Sequence, residues 1–251
     1  MTFPQNGSGR LPVASGSPRG AMTGLRRFAA PSRPQAPAAE ERCEMCGERV
    51  PERHGHLVDV EQRSIGCACT ACGLLFTRPG GRYRTVPDRV RHDPDAPLTD
   101  AEWAELGIPV GIAFFFVNSA VGHVVASYPS PAGVTECELD LAGWDRLAAA
   151  HPLLREPAPD VEAILVVAGA PRLAGGAPVG AGAGDGGGVE AFLIPIDACY
   201  SLAGGLRLHW RGFDGGAEAQ GMLTDFLADI RERARPLAPP DPLAPTPQAG
   251  A

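Results

Sequence analysis

Four thiols in two matching units, Cys43-Glu-Met-Cys46-Gly47 and Cys69-Thr-Ala-Cys72-Gly73, constrain this chain more than anything else in it. A C-x-x-C turn points both sulfurs to one side, and a following glycine lets the backbone close around an ion with its amides turned toward the thiolates. Two such turns complete a tetrahedral shell of four sulfurs. The 22 residues between Cys46 and Cys69 lie close to the spacing of paired C-x-x-C zinc sites. Inert buried thiols and disulfides are the competing readings, and the spacing disfavours both.

The intervening loop has what a hairpin needs to bring the two units together. Leu57, Val58 and Val60 read as a strand, Glu61-Gln62-Arg63-Ser64 as a turn and Ile65 to Ala68 as the return. Leu74, Leu75 and Phe76 form a third apolar run, followed by a turn at Arg78-Pro79-Gly80-Gly81 and a return strand from Arg82 to Val86. The expectation is a zinc-ribbon-like module over residues 41–86, with Cys43, Cys46, Cys69 and Cys72 as ligands. Cys67, His54 and His56 stand as alternate ligands or as groups behind the shell, Cys67 because it shares a strand face with Cys69. A closed four-cysteine shell leaves no position for substrate, so the expected ion is structural zinc. Iron is the alternative, since rubredoxins also hold one ion between two C-x-x-C-G units and an iron tetrathiolate carries an electron. Thr70 stands here where the second rubredoxin unit usually has proline.

Every one of the 22 basic residues is arginine, and their distribution is uneven. Residues 1–92 carry a formal +6 and residues 93–251 a formal −13, for a net −7. Arg78, Arg82, Arg84, Arg89 and Arg91 cluster just after the second cysteine unit, as a strip for docking an acidic partner or for pairing with the acidic half of the same molecule. Little aromatic interleaving and a strongly acidic remainder disfavour nucleic acid. The longest apolar run, Val110 to Val117, falls far short of the ~20 residues a membrane helix needs. The N-terminus has no secretory signal, so the expected location is cytoplasmic, which suits reduced thiols.

Residues 1–40 and 236–251, rich in small residues and proline, are expected to be disordered tails, and Met22 is a second candidate start. Prolines 87, 94 and 97 mark residues 87–98 as a linker. Residues 99–235 then read as an α+β domain, a mixed or antiparallel sheet with three or four helices. Thr99-Asp-Ala-Glu102 forms a capping box, and Gly111 to Val117 is too apolar for a one-sided strand. Further strands are expected over 121–128, 134–139, 161–168 and 191–196. Helices are expected over 140–150 and 216–234, with a short one capped by Asp197 through Leu202. Leu206, Leu208 and Trp210 alternate with polar residues in the manner of a strand. Gly169 to Gly188 reads as a flexible Gly/Ala insertion, lacking the lysine of a phosphate loop.

No catalytic constellation stands out. Cys137 and Cys199 have His123, His151 and His209 as potential bases, but no spacing ties them together. Tyr128 to Pro131 and Pro195 to Tyr200 are the segments where a pocket would be sought.

Taken together, Cys43-Glu-Met-Cys46-Gly, the Cys67-Ala-Cys69-Thr-Ala-Cys72 run, Arg82-Tyr-Arg-Thr-Val-Pro-Asp88, Gly107 to Phe116, Tyr128-Pro-Ser-Pro-Ala-Gly133 and Pro195-Ile-Asp-Ala-Cys-Tyr200 resemble a bacterial family of unknown function encoded near [NiFe]-hydrogenase genes. The resemblance spans about residues 24 to 234. It implies a pathway and not a reaction: a metal-stabilised accessory or adaptor protein that contacts a hydrogenase subunit or maturation factor. An iron electron-transfer protein, a nucleic-acid-binding ribbon and an enzyme of unknown reaction are the alternatives.

Overall fold

The structure is a computed structural model that describes residues 40–169, 188–212 and 215–237. Apart from their edges, the two tails and the insertion at 169–188 lie outside the described residues. The fold is α+β, built on two sheets. Strands β1 (Gly55–Asp59), β2 (Ser64–Ala68) and β3 (Tyr83–Thr85) form an antiparallel sheet of order β2-β1-β3, with helix α1 (Thr70–Phe76) between β2 and β3. Asp59 closes the β1–β2 turn by accepting from the amides of Glu61 (3.1 Å) and Gln62 (3.0 Å). Its second oxygen accepts from Arg82 Nε at 2.9 Å, which ties the turn to the approach of β3.

The larger sheet contains β4 (Arg91–His92), β5 (Ile112–Asn118), β6 (His123–Ser130), β7 (Gly133–Cys137), β8 (Glu162–Ala168), β9 (Val189–Pro195) and β10 (Arg235–Pro236), in the order β10-β4-β9-β8-β5-β6-β7. Its pairings are antiparallel except for β10 on β4. Alternation along β5 explains its unbroken apolar sequence. Ile112 and Phe114 join Leu165, Phe192 and Ile194 on one face, while Ala113 and Phe115 join Ile164, Val166 and Leu193 on the other. Helices α4 (Ile196–His209) and α5 (Gly216–Arg233) cover the first face through Leu202, Leu206, Leu223, Leu227 and Ile230. Helices α2 (Asp100–Glu105) and α3 (Leu141–Ala150), with a 3-10 turn at Pro152–Arg155, cover the second, where Trp144 stacks on Phe115 at 4.7 Å. The capping box of α2 forms as expected, Thr99 and Glu102 each receiving the other's backbone N–H.

Four expectations need correction. Leu74, Leu75 and Phe76 are the last residues of α1 and not a strand. Leu206 and Leu208 lie in α4, which runs on to His209 past the short helix expected at Asp197. The stretch 87–98 contributes β4 and sets Val90 in the core, so it is more than a linker. Pro236, placed at the start of the C-terminal tail, pairs with β4 as part of β10, and Leu237 after it donates to the His92 carbonyl at 2.7 Å.

The small sheet packs on the α4–α5 side of the large one. Val58 and Val86 belong to its core, with Val60 and Ile65 packed against them.

Candidate metal centre

The two cysteine units reach their positions by different routes. In the first, the Gly47 amide donates to the Cys43 carbonyl at 2.8 Å in a tight turn that requires the positive φ of Gly47, 76°. In the second, Cys69 is the N-cap of α1 and its sulfur accepts from the Cys72 amide at 3.4 Å. Gly73 is therefore an ordinary helical residue, and the expected closure by a second glycine is replaced by the first turn of a helix. The β1–β2 hairpin joins the units, and the Glu44 amide donates to the Cys67 carbonyl at 2.9 Å.

The sulfurs of Cys43, Cys46, Cys69 and Cys72 all lie within 4.8 Å of one another. Cys46 Sγ and Cys69 Sγ are 3.8 Å apart, far too long for a disulfide. A zinc–sulfur bond of about 2.3 Å sets the edge of a regular tetrahedron at about 3.8 Å. The donor set therefore fits one ion, and its four soft thiolates suit zinc or iron. Cys43 and Cys72 are buried and Cys46 is exposed. Burial works against ionisation of Cys43, but the amides of Cys69, Cys46 and Met45 outweigh it and bring the thiol down to about 6. Burial and the neighbouring thiols of Cys46, Cys69 and Cys43 push Cys72 up to about 12. One thiolate is thus favoured in the free protein, and a cation supplies the charge that stabilises the rest.

His54, His56 and Cys67 do not join these sulfurs and form a separate group on the β1–β2 hairpin. The arginine strip is largely occupied within the molecule. Arg82 pairs with Asp59, Arg84 with Asp160 at 2.8 Å, and Arg89 makes a two-pronged contact of 2.5 and 2.8 Å with the fully buried Glu162. Of the strip, Arg84 and Arg89 thus pair with carboxylates of the acidic half and Arg82 with one of its own half.

No hydrogen bond joins Cys137 or Cys199 to a histidine among the described residues. Burial raises both thiols, Cys199 well above its ordinary range. His151 is bonded to Glu102 at 2.9 Å and to the Ala96 carbonyl at 3.0 Å. Of the two segments where a pocket was sought, the second supplies Ile196 and Tyr200 to a cleft of about 650 Å³, which Val58 and Ile65 of the small sheet also line.

Sequence reasoning missed the exposure of Leu74, Leu75 and Phe76, which are 77%, 68% and 44% exposed. The run is separated from Cys72 only by Gly73 in the sequence, but its outward orientation comes from α1, which the sequence pattern does not disclose. Among the described residues no helix is long and apolar enough to cross a membrane.

The model of a family described as "Family of unknown function (DUF5947)" matches residues 42–234, from the first cysteine unit to the end of α5. No curated protein and no solved structure matches the chain.

Proposed function

We propose that this chain, which belongs to the DUF5947 family, is a metal-stabilised docking protein whose Cys43, Cys46, Cys69 and Cys72 hold one structural zinc ion. The observation that carries this reading is the position of Leu74, Leu75 and Phe76 on α1, separated from Cys72 only by Gly73 and exposed to solvent. Contiguous exposed apolar side chains mark interaction surfaces. Their helix has only seven residues, too short to be stable alone, so the ion bound by its N-cap and first turn would fix the presented face. With four protein ligands the shell has no position for a substrate, so its role is to hold the backbone.

The partner in this reading is a protein with an apolar groove. The resemblance to a family encoded near [NiFe]-hydrogenase genes makes a hydrogenase subunit or maturation factor the first to test. Affinity capture from a native host with the wild-type chain should recover that partner, and the Leu74→Ser/Leu75→Ser variant should lose it while keeping its metal. Repeated capture without any hydrogenase component would remove that client. Elemental analysis of colourless protein should return zinc at this centre. A red, reversibly redox-active protein holding iron would instead make the chain an electron carrier.

A further inference from the structure

The β1–β2 hairpin carries a second ligand set. His56 and Cys67 are direct cross-strand partners, which brings side chains on one face into contact range. His54, two residues before His56, extends the same face by strand alternation. A ring nitrogen from each imidazole and the Cys67 sulfur lie within 4.8 Å of one another. We propose that His54, His56 and Cys67 form a second metal site, separate from the four-thiol centre, with three protein ligands and a fourth position open to water or a small anion.

The hydrogen bonds around the two imidazoles prepare them for this. His54 Nδ1 is 2.9 Å from the Pro51 carbonyl and therefore carries the proton, with Glu41 Oε2 at 3.6 Å on the same side. That tautomer leaves the lone pair on Nε2. The side chain is only 5% exposed, and Nε2 is buried with no hydrogen-bond partner. A buried acceptor without a donor is costly, and a cation is the partner its chemistry admits. His56 Nδ1 is 2.7 Å from Asp197 Oδ2, and Asp197 is itself held by the Ala198 amide at 2.8 Å. Carboxylate–imidazole pairs of this kind orient metal-binding histidines and fix Nε2 as the ligand atom. The Cys67 amide donates to Glu44 Oε1 at 3.2 Å, which ties the strand bearing its sulfur to the first cysteine unit.

Two histidines and one thiolate suit zinc, and three protein ligands with an open fourth position characterise sites that bind or activate a further molecule. The surroundings fit this description. Alternation sets Val58 on the face of His56 and Ile65 on the face of Cys67. Both line the 650 Å³ cleft, as do Ile196 and Tyr200 on either side of Asp197. The site thus adjoins a cleft lined also by Arg63 and Asn118.

The test is a stoichiometric titration of the metal-free full chain with Zn²⁺ and, separately, Co²⁺. Wild type should bind two ions per chain, and Cys67→Ser and His54→Ala should each bind one while retaining wild-type circular dichroism. In the dicobalt protein, azide should change the visible bands of wild type and leave those of Cys67→Ser unchanged. A wild-type chain that binds a single ion would overturn the proposal, as would variants that still bind two. Bands insensitive to azide would overturn the open fourth position. If one variant fails to fold, the other supplies the comparison, and the wild-type count stands by itself.

Discussion

The small sheet and the large sheet are stabilised by different chemistry. In the cysteine-bearing end of the small sheet, the buried apolar set is Cys43, Leu57, Ala68 and Cys72, two of which belong to the four-thiol cluster. The large sheet is buried on both faces, with Phe114, Leu165 and Ile194 on one side and Phe115, Ile164 and Leu193 on the other, all with at most 1% exposure. Burial alone can hold the second region. The first has little apolar core at that end, where an ion held by the four thiols would add what burial does not, and it also leans on the core of the second through Val58 and Val86. Small modules commonly obtain from a metal what their size denies them in apolar core.

Metal removal is the strongest way to break this comparison. Structural zinc contributes on the order of 10–16 kcal/mol in small metal-folded modules, so chelation or Cys43→Ser should unfold the region around α1 and the first cysteine turn. Hydrogen exchange should then show lost protection over residues 43–76 while β5, β8 and β9 stay protected. A single loss of protection across both sheets would mean that the two regions form one cooperative unit.

The next largest effect lies where the regions meet. Glu162 is completely buried and is neutralised by Arg89, with the Ala158 amide as a further donor at 2.9 Å. Arg89→Ala would strand the carboxylate and should cost about 3–5 kcal/mol, the range for breaking one side of a buried pair. Glu162→Ala should cost less, because the Arg89 side chain is 40% exposed and can turn to water. Denaturant midpoints of the two variants measure the asymmetry, and equal losses would contradict it.

A smaller effect is expected on the other face of the large sheet. His151, with the Thr99 amide behind it, holds the Glu102 carboxyl at about 2, below its ordinary 4.5. A depressed carboxyl contributes stability that is present above its unfolded value and lost as pH falls through the folded one. The contribution should therefore be complete above pH about 4.5 and decline toward pH about 2. Glu102→Gln should remove this slope and cost about 1 kcal/mol near neutrality, the scale of a lost helix cap. Thermal melts at pH 3 and pH 7 would show it, and an unchanged slope would refute it.

What the sequence disclosed follows the same division. The strands of the large sheet were legible because burial on both faces leaves continuous apolar runs such as 112–117 and 163–168. The Thr99–Glu102 box was legible because its chemistry is local. Helix α1 was not, because its cap is the sulfur of Cys69, a residue selected as a ligand and absent from capping rules. Helix α4 was hidden by Gly204 and Gly205, which lower helix propensity in its middle. At Gly205 a Cβ would stand 2.5 Å from Met222 Sδ of α5, so a larger residue there needs the Met222 side chain to move. The clustering of Cys43, Cys46, Cys69 and Cys72 could be read from spacing, whereas the separate grouping of His54, His56 and Cys67 depends on strand register, which spacing does not give.

The smallest expected change in stability belongs to α1, and it sharpens the comparison most. Leu74 and Leu75 are too exposed to contribute to either core, so Leu74→Ser/Leu75→Ser should move the denaturant midpoint by no more than about 0.5 kcal/mol per residue, as surface changes do. A core pair of leucines treated the same way, Leu165 and Leu193, should lose several kcal/mol. If the α1 variant is as stable as wild type and more soluble, these leucines are kept for something outside the folded chain, and a protein partner is the simplest occupant of an apolar face on a metal-fixed helix. A large loss of stability would instead place them in a contact within the molecule, and α1 would then be part of the scaffold and not the surface it presents.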